Sequence, residues 1–338
     1  DRRCSLDVCG FLEWCCGVTP SARREFHRLF LETEFVPGQR AIIARNHMWD
    51  VPSARYGHWN TDFPYVSAFV AAQPVIAAQG DKCAFLGRNG DLRAPESLNE
   101  DQWTPHFGRH DDPIAALRSH VELPPGGTKE LGYALVVERD KDALLEHVRN
   151  ATQLGMMEQS LNEVRTFWQE QLAAHRVETP EASWDYLTND WLRYQAISGR
   201  IWGRCGYYQQ SGAFGFRDQL QDSQVWLTID PQQSRAQLVQ HAGHQFADGS
   251  VYHWWHPLTE QGLRTTMTDD LLWLAFVTAS YIRETGRLDV LDETAPFVDD
   301  AQPQTLRTHI ERAFTRVFGR FSERGLPHDY GVDDLPLV

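Results

Sequence analysis

Cysteine is scarce in this sequence. Six are spread over 338 residues: Cys4, Cys9, Cys15, Cys16, Cys83 and Cys205. No C-x-x-C pair occurs among them, which argues against a structural zinc site of the usual spacing. A chain of this length buries a core without disulfide staples, so the thiols are expected to be reduced and structural. Basic charge is also in deficit: 32 Lys and Arg face 46 Asp and Glu, a formal net charge of -14. That argues against nucleic acid, whose phosphates attract a basic face. Long apolar runs are missing. The best candidate, 66–78, is too short to span a bilayer and is cut by Gln73 and Pro74. There is no internal repeat, no low-complexity tract, no Gly-x-Ser-x-Gly, no P-loop and no dinucleotide fingerprint.

What is present is an ordinary globular balance, with 42% hydrophobic and 23% charged residues, which excludes wholesale disorder. The sequence has two grammars. In the first part, Leu131, Tyr133, Leu135 and Val137 alternate with Gly132, Ala134, Val136 and Glu138. With Val121 and Leu123 before the turn Pro124-Pro125-Gly126-Gly127, this predicts a hairpin. Ala41–Ala44 and Ala84–Leu86 are expected to be further short strands, and the whole suggests a β-sandwich. After about Asp140 the period becomes helical. Leu161, Val164, Trp168 and Leu172 form one stripe. Thr179 as N-cap and Pro180 at the first position predict a second helix, with the stripe Trp184, Leu187, Trp191 and Tyr194. A third begins at Asp269-Asp270 and ends at Gly286, and a fourth carries Leu306, Ile310, Ala313, Phe314, Val317 and Phe321. Helices without intervening strands predict helix-on-helix packing. The expected organisation is a β-sandwich over 1–140, a helical linker over 141–180 and a helical domain over 181–338.

Three polar clusters could carry chemistry. In Ser211–Asp222 (SGAFGFRDQLQD) a Gly-rich loop leads to Arg217 and Asp218 at a predicted helix start, with Asp222 on the same face. A carboxylate beside an Arg can hold sugar hydroxyls. The plain alternative is a capping Asp with a surface ion pair. In His253–Pro257 (HWWHP), Pro257 suggests a loop. His253 and His256 lack an obvious third metal ligand, so a metal is not favoured. Trp254 and Trp255 are either pocket walls or core. In Arg264–Leu274 (RTTMTDDLLWL), Thr268 and Asp269 are expected to cap the next helix, and Arg264 is a candidate ligand contact. The 12 tryptophans have the same two readings, core packing or stacking platforms for sugar rings.

These three motifs, with Tyr207-Tyr208 ahead of the first, resemble the signature of glycoside hydrolase family 94, the inverting β-glucoside phosphorylases. GFLEWCCG (Gly10–Gly17) and GHWNTD (Gly57–Asp62) resemble segments of the family's sandwich domain. The motif style is closest to the cellobionic acid phosphorylase and cyclic β-1,2-glucan synthase branch, and the resemblance covers nearly the whole chain. It implies an N-terminal β-sandwich, a helical linker and the first half of an (α/α)6 barrel. It implies that inorganic phosphate, a co-substrate with no further cofactor, attacks the anomeric carbon of a β-glucoside and yields an α-sugar 1-phosphate. Inversion then needs one protein acid and no base, because phosphate is already an anion.

By the same resemblance, Arg217 and Asp218 match the family's donor-sugar pair, and Arg204 matches an upstream donor-subsite Arg. Asp222, His253, Trp254, Trp255, His256, Arg264, Asp269 and Asp270 are pocket candidates without an assigned role. The family's general acid lies in a Gly-Asp-Trp-Asn-Asp-Gly-like motif after a Gly-Leu-Pro-Leu-type stretch. Here Gly325-Leu326-Pro327 and Leu335–Val338 occur, but no Trp-Asn-Asp follows. The expectation is a fragment, opening at Asp1 without a secretory leader, with its first strands missing and its acid beyond Val338, inactive and aggregation-prone alone. A homodimer, a cytoplasmic bacterial location, and membrane association only as part of a glucan synthase are implied likewise. An inverting hydrolase and a noncatalytic sugar-binding module are the alternatives.

Overall fold

The computed structural model describes residues 2–17, 28–47, 63–204, 212–265 and 267–327. The Gly57–Asp62 segment, Cys205, Tyr207-Tyr208, Ser211, Thr266 and Leu335–Val338 lie outside the described residues. The chain forms two compact units, Asp1–Arg165 and Thr166–Val338.

The first unit is built on two antiparallel sheets. Its strands are β1 (Cys4–Glu13), β2 (Leu31–Val36), β3 (Ala41–Asn46), β4 (Val66–Ala71), β5 (Ala77–Asp81), β6 (Gly108–Arg109), β7 (Pro113–Leu123) and β8 (Tyr133–Glu138). One sheet has the order β6-β2-β3-β4-β8 and the other β1-β7-β5. Ile42, Ala44, Phe69 and Ala71 of the first meet Ala78, Ala115 and Leu117 of the second in a shared core. The opposite faces are covered too. Ala41, Ile43, Val66, Ala68 and Val70 pack beneath Leu144 and Val148 of helix α2 (Lys141–Ala151), and Ile114 and Ala116 pack beneath Phe85 and Trp103. Burial on both faces is why Ala41–Ala44 is an unbroken apolar run rather than an alternating one.

Two expectations fail here. Ala84–Leu86 is not a strand but belongs to the short helix α1 (Lys82–Leu86), whose first turn Asp81 caps by accepting from the Cys83 amide at 3.0 Å. Nor does the Pro124–Gly127 turn close a hairpin. β7 pairs with β1 and β5, while β8 pairs with β4, so the turn carries the chain from one sheet to the other. A turn sequence fixes reversal of direction but not the partner strand.

Helix α3 (Leu154–Leu172) follows, with Leu161 and Val164 exposed. The second unit begins within this helix, at Thr166, and continues with a helical segment over 182–203. Its N-cap is Glu181, which accepts from the Ser183 amide, rather than Thr179, whose hydroxyl accepts from the Glu181 amide instead. Two stretches of this segment, Leu187–Trp191 and Gln195–Gly203, are π-helical. The wider i→i+5 turns shift a stripe spaced for 3.6 residues per turn. Trp184, ahead of these turns, and Trp191 are exposed, while Ile197, Ile201 and Asn189 are buried.

The remainder is α4 (Phe216–Ser223), α5 (Pro231–Ala242), α6 (Thr268–Thr285) and α7 (Leu306–Phe318). Their core joins Phe216, Leu220, Leu238, Leu271, Leu274, Val277, Tyr281, Ala313 and Val317 around the fully buried Trp255. The helices are not uninterrupted. A sheet β9 (Phe214–Gly215), β10 (Tyr252–His256) and β11 (Gln261–Arg264), ordered β11-β10-β9, and a hairpin β12 (Thr294–Phe297) with β13 (Asp300–Thr305) intervene. α6 ends at Gly286 with φ +70°, a left-handed cap that a side chain would strain. Its start departs from expectation: Met267 occupies the N-cap position, and neither Thr268 nor Asp269 precedes the helix.

Leu144 is fully buried where α2 covers the larger sheet. Leu144→Ala is expected to destabilise the first unit by about 2–5 kcal/mol, read as a fall in the denaturant midpoint. A change below about 0.5 kcal/mol would mean that α2 does not seal that face.

Candidate active site

Phe214 and Gly215 form β9 and run straight into α4, so Arg217 and Asp218 stand in the first helical turn. An acidic side chain is favoured there by the exposed amides of the helix start. A Cβ on Gly215 would lie 3.0 Å from Asp218 Oδ2, so the glycine leaves room for the carboxylate to fold back over the strand. On the other side of β9 lies β10, with Trp254 opposite Gly215. HWWH is thus a strand and not a loop. Aromatic side chains suit a pleated surface, and Pro257 falls just after the last paired residue, where no ladder donor is lost.

Strand alternation would put His253 and Trp255 on one face and Trp254 and His256 on the other. Between Tyr252 and Trp254, however, the register against β11 slips by one residue: Tyr252 pairs with Arg264 and Trp254 with Leu263. The extra residue is His253. A bulge re-aims its side chain, and His253 joins Trp254 and His256 on the wall of one cavity.

That cavity has a volume of about 240 Å³ and is lined by Arg204, Ala213, Gly215, Arg217, Asp218, His253, Trp254 and His256. Arg204 ends the 182–203 segment in the left-handed region, φ 44°. Its guanidinium is buried. Nε donates to the Ala213 carbonyl at 2.8 Å, and Nη2 lies 3.4 Å from Asp218 Oδ2. Burial lowers the Arg204 pKa from its ordinary high value, which leaves it charged. Arg217 Nη1 donates to Asp269 Oδ2 at 2.7 Å, and that bond raises the Arg217 pKa. His253 Nδ1 donates to Asp270 Oδ2 at 2.7 Å. This bond raises the imidazole's pKa and outweighs burial, which opposes the charge.

The remaining candidates sit elsewhere. Trp255 is fully buried, stacked on His244 with ring centroids 3.8 Å apart, and is part of the core. Asp222 accepts from Arg200 Nε at 2.8 Å, and burial raises its pKa. Arg264 donates to Ser250 Oγ at 2.7 Å, pairs with Asp248 and lies over the Phe246 ring, so its charge is satisfied away from the cavity wall. Asp269 and Asp270 stand behind the wall and hold Arg217 and His253. Of the tryptophans, Trp14, Trp103, Trp226 and Trp255 are buried, and Trp254 lines the cavity. Among the described residues no group of three or more His, Cys, Asp or Glu side chains could hold a metal ion, and no helix is long and apolar enough to cross a membrane.

One residue was missed by sequence reasoning. Gln219 is fully buried and donates through Nε2 to the Ile201 carbonyl at 2.8 Å, tying α4 to the end of the segment that carries Arg204. A Gln between the core residues Phe216 and Leu220 was the available signal.

Two family models account for the chain in succession. Residues 1–153 match the glycosyl hydrolase 94 supersandwich domain, and residues 167–333 match the catalytic domain of that superfamily. The chain belongs to the glycosyl hydrolase 94 superfamily. It is 34% identical over 298 residues to a cyclic beta-(1,2)-glucan synthase NdvB of Rhizobium meliloti, covering 87% of this chain and 10% of that protein. It is 25% identical over 344 residues to a solabiose phosphorylase of Paenibacillus borealis, covering 98% of this chain and 41% of that one. With a cellobionic acid phosphorylase of Neurospora crassa the identity is 24% over 234 residues, 68% of this chain and 29% of the relative. The chain thus spans less than half the length of these glycosyl hydrolase 94 relatives.

Beneath the cavity, His241 is fully buried, with edge-on rings at Phe216 and Trp255 and Nδ1 donating to the Gln237 carbonyl at 2.7 Å. Burial pushes its pKa down to about 3. The unfolded chain binds this proton near pH 6.5 and the folded chain does not, so the unit loses stability progressively as pH falls from about 6.5 towards 3. For one fully linked proton the slope is about 1.4 kcal/mol per pH unit. His241→Phe is therefore expected to blunt the acid-side fall in the denaturant midpoint. Parallel curves for the two proteins would rule out this linkage.

Proposed function

We propose that the second unit supplies the donor-sugar pocket of an enzyme that cleaves a β-linked glucoside with inorganic phosphate and releases α-glucose 1-phosphate. One observation carries this reading: Asp218 is fixed beside two guanidinium groups, Arg204 and Arg217, in a small cavity walled by Trp254. At about 240 Å³ the space is below the roughly 300–1,000 Å³ of pockets for drug-sized ligands, which suits a single pyranose ring. A carboxylate accepts from adjacent hydroxyls, guanidinium groups donate to them, and an indole face covers the ring's C–H face. Held so, the anomeric carbon is open to phosphate on the side opposite the departing glycosidic oxygen. The new C–O bond forms as the old one breaks, configuration inverts, and the leaving oxygen takes one proton from a general acid supplied from outside the described residues. Positioning supplies the rest. On this reading α4 to α7 belong to the first half of an (α/α)6 barrel.

A second reading has its own support. The 34% identity over 87% of this chain with a cyclic β-1,2-glucan synthase favours a phosphorolytic domain that trims glucan chains within such a synthase.

The protein that carries this chain should release glucose 1-phosphate only with phosphate present, tested with cellobiose, cellobionic acid and β-1,2-glucan. The preferred substrate separates the two readings. Asp218→Asn is expected to lower kcat/KM about 10- to 100-fold, the size of one lost charge-assisted hydrogen bond or more. Sugar release indifferent to phosphate would overturn both readings and leave an inverting hydrolase.

A further inference from the structure

The consecutive carboxylates at the start of α6 do different things. Asp269 is half exposed and bonds Arg217 Nη1 at 2.7 Å. Asp270 is fully buried and bonds His253 Nδ1 at 2.7 Å. Both partners line the cavity, and neither aspartate does. The second oxygen of Asp270, Oδ1, is buried without a hydrogen-bond partner. A desolvated carboxylate with one strong partner couples tightly to it. The bulge at His253 brings its ring to the cavity face, and the bond to Asp270 then occupies Nδ1, which leaves Nε2 as the ring nitrogen for a ligand.

We infer that Asp269 and Asp270 are positioning residues for the sugar pocket, Asp270 orienting His253 so that Nε2 meets a ligand hydroxyl and Asp269 fixing the Arg217 guanidinium beside it. This rests on the donor-pocket reading above. It makes a polarity switch: with Nδ1 protonated towards Asp270, Nε2 accepts a hydrogen bond when the ring is neutral and donates one when it is charged. The charged groups acting on His253 include Asp270 of α6 and Arg217 and Asp218 of α4, and Arg204, at the end of the 182–203 segment, lines the same cavity. Asp270 and Asp218 favour the charged ring and Arg217 opposes it, with Asp270 the largest influence. The donor form therefore persists to higher pH than for a free histidine. Sugar binding weakens as pH rises through the His253 midpoint.

Isothermal titration with D-glucose across roughly pH 5 to 8, the range in which histidine titrates, tests this. It is run beside an NMR titration of the His253 ring in the unliganded protein. In Asp270→Asn the ring midpoint should fall, glucose affinity should drop about tenfold, and the fall in affinity with pH should move to lower pH. Asp269→Asn should weaken binding without moving either midpoint. His253→Gln, which keeps Asp270 in place, should give glucose binding that is flat with pH, and it stands in if Asp270→Asn does not fold. Unchanged midpoints in Asp270→Asn with only a lower Tm, or pH-dependent binding retained in His253→Gln, would overturn the inference. If the wild-type protein binds no glucose at any pH, the donor-pocket reading falls, and with it the sugar role. The ring midpoints would then still show whether Asp270 holds His253.

Discussion

Strand β10 lies between β9 and β11 with Trp255 anchored in the core, and one extra residue is accommodated in it at His253. The anchor is firm because the indole meets Phe214, His241 and His244 on separate sides. With Trp255 pinned, the strand cannot rotate, and the alternation of its neighbours is fixed. Trp254 then faces Gly215, where the absence of a side chain leaves space for Asp218. The extra residue lets His253 escape the core face. The positions of Asp218, Trp254 and His253 are thus consequences of how one buried tryptophan seats a three-stranded sheet.

The electrostatics of the pocket follow the same layering. Arg204 is held by a carbonyl and by Asp218, Arg217 by Asp269, and His253 by Asp270. Each of these three lining groups has its own acceptor, so none of their donors is left unpaired near apolar surface. Their orientation is set by the protein's own groups, the kind of preorganisation that lowers the ordering cost of any ligand bound there.

Much of this was legible in the sequence because it is local. The helix start at Phe216-Arg217-Asp218, the αL stop at Gly286 and the buried Leu306, Ala313 and Val317 of α7 each follow from a few adjacent residues, whereas Phe314 is exposed and Phe321 lies beyond the helix. What could not be read depends on distant partners. Pro257 suggested a loop, yet Trp254 and Trp255 pair on both sides, with Gly215 opposite Trp254 and Gly262 opposite Trp255. The Pro124–Gly127 turn looked like a hairpin, yet its strands belong to different sheets. Asp269 looked like a cap, but its partner, Arg217, lies 52 residues away. The partner of Asp270 was equally hidden, because His253 approaches from another element. Trp255 and Trp254 are adjacent and chemically identical, and only the sheet decides which is core and which is wall.

The π-helical turns of 182–203 have a consequence for how this region tolerates change. The Leu192 amide bonds the Leu187 carbonyl and the Arg204 amide bonds the Gly199 carbonyl, each one residue longer in reach than an α-turn. Such a turn behaves as an α-helix with one residue inserted. Removing that residue would restore regular winding while leaving what lies beyond it close to its place. A one-residue deletion is usually absorbed where it occurs in a loop. Here the wide turns give a helix the same tolerance, because the loss of one residue can be taken up within them while Arg204 stays beside Asp218.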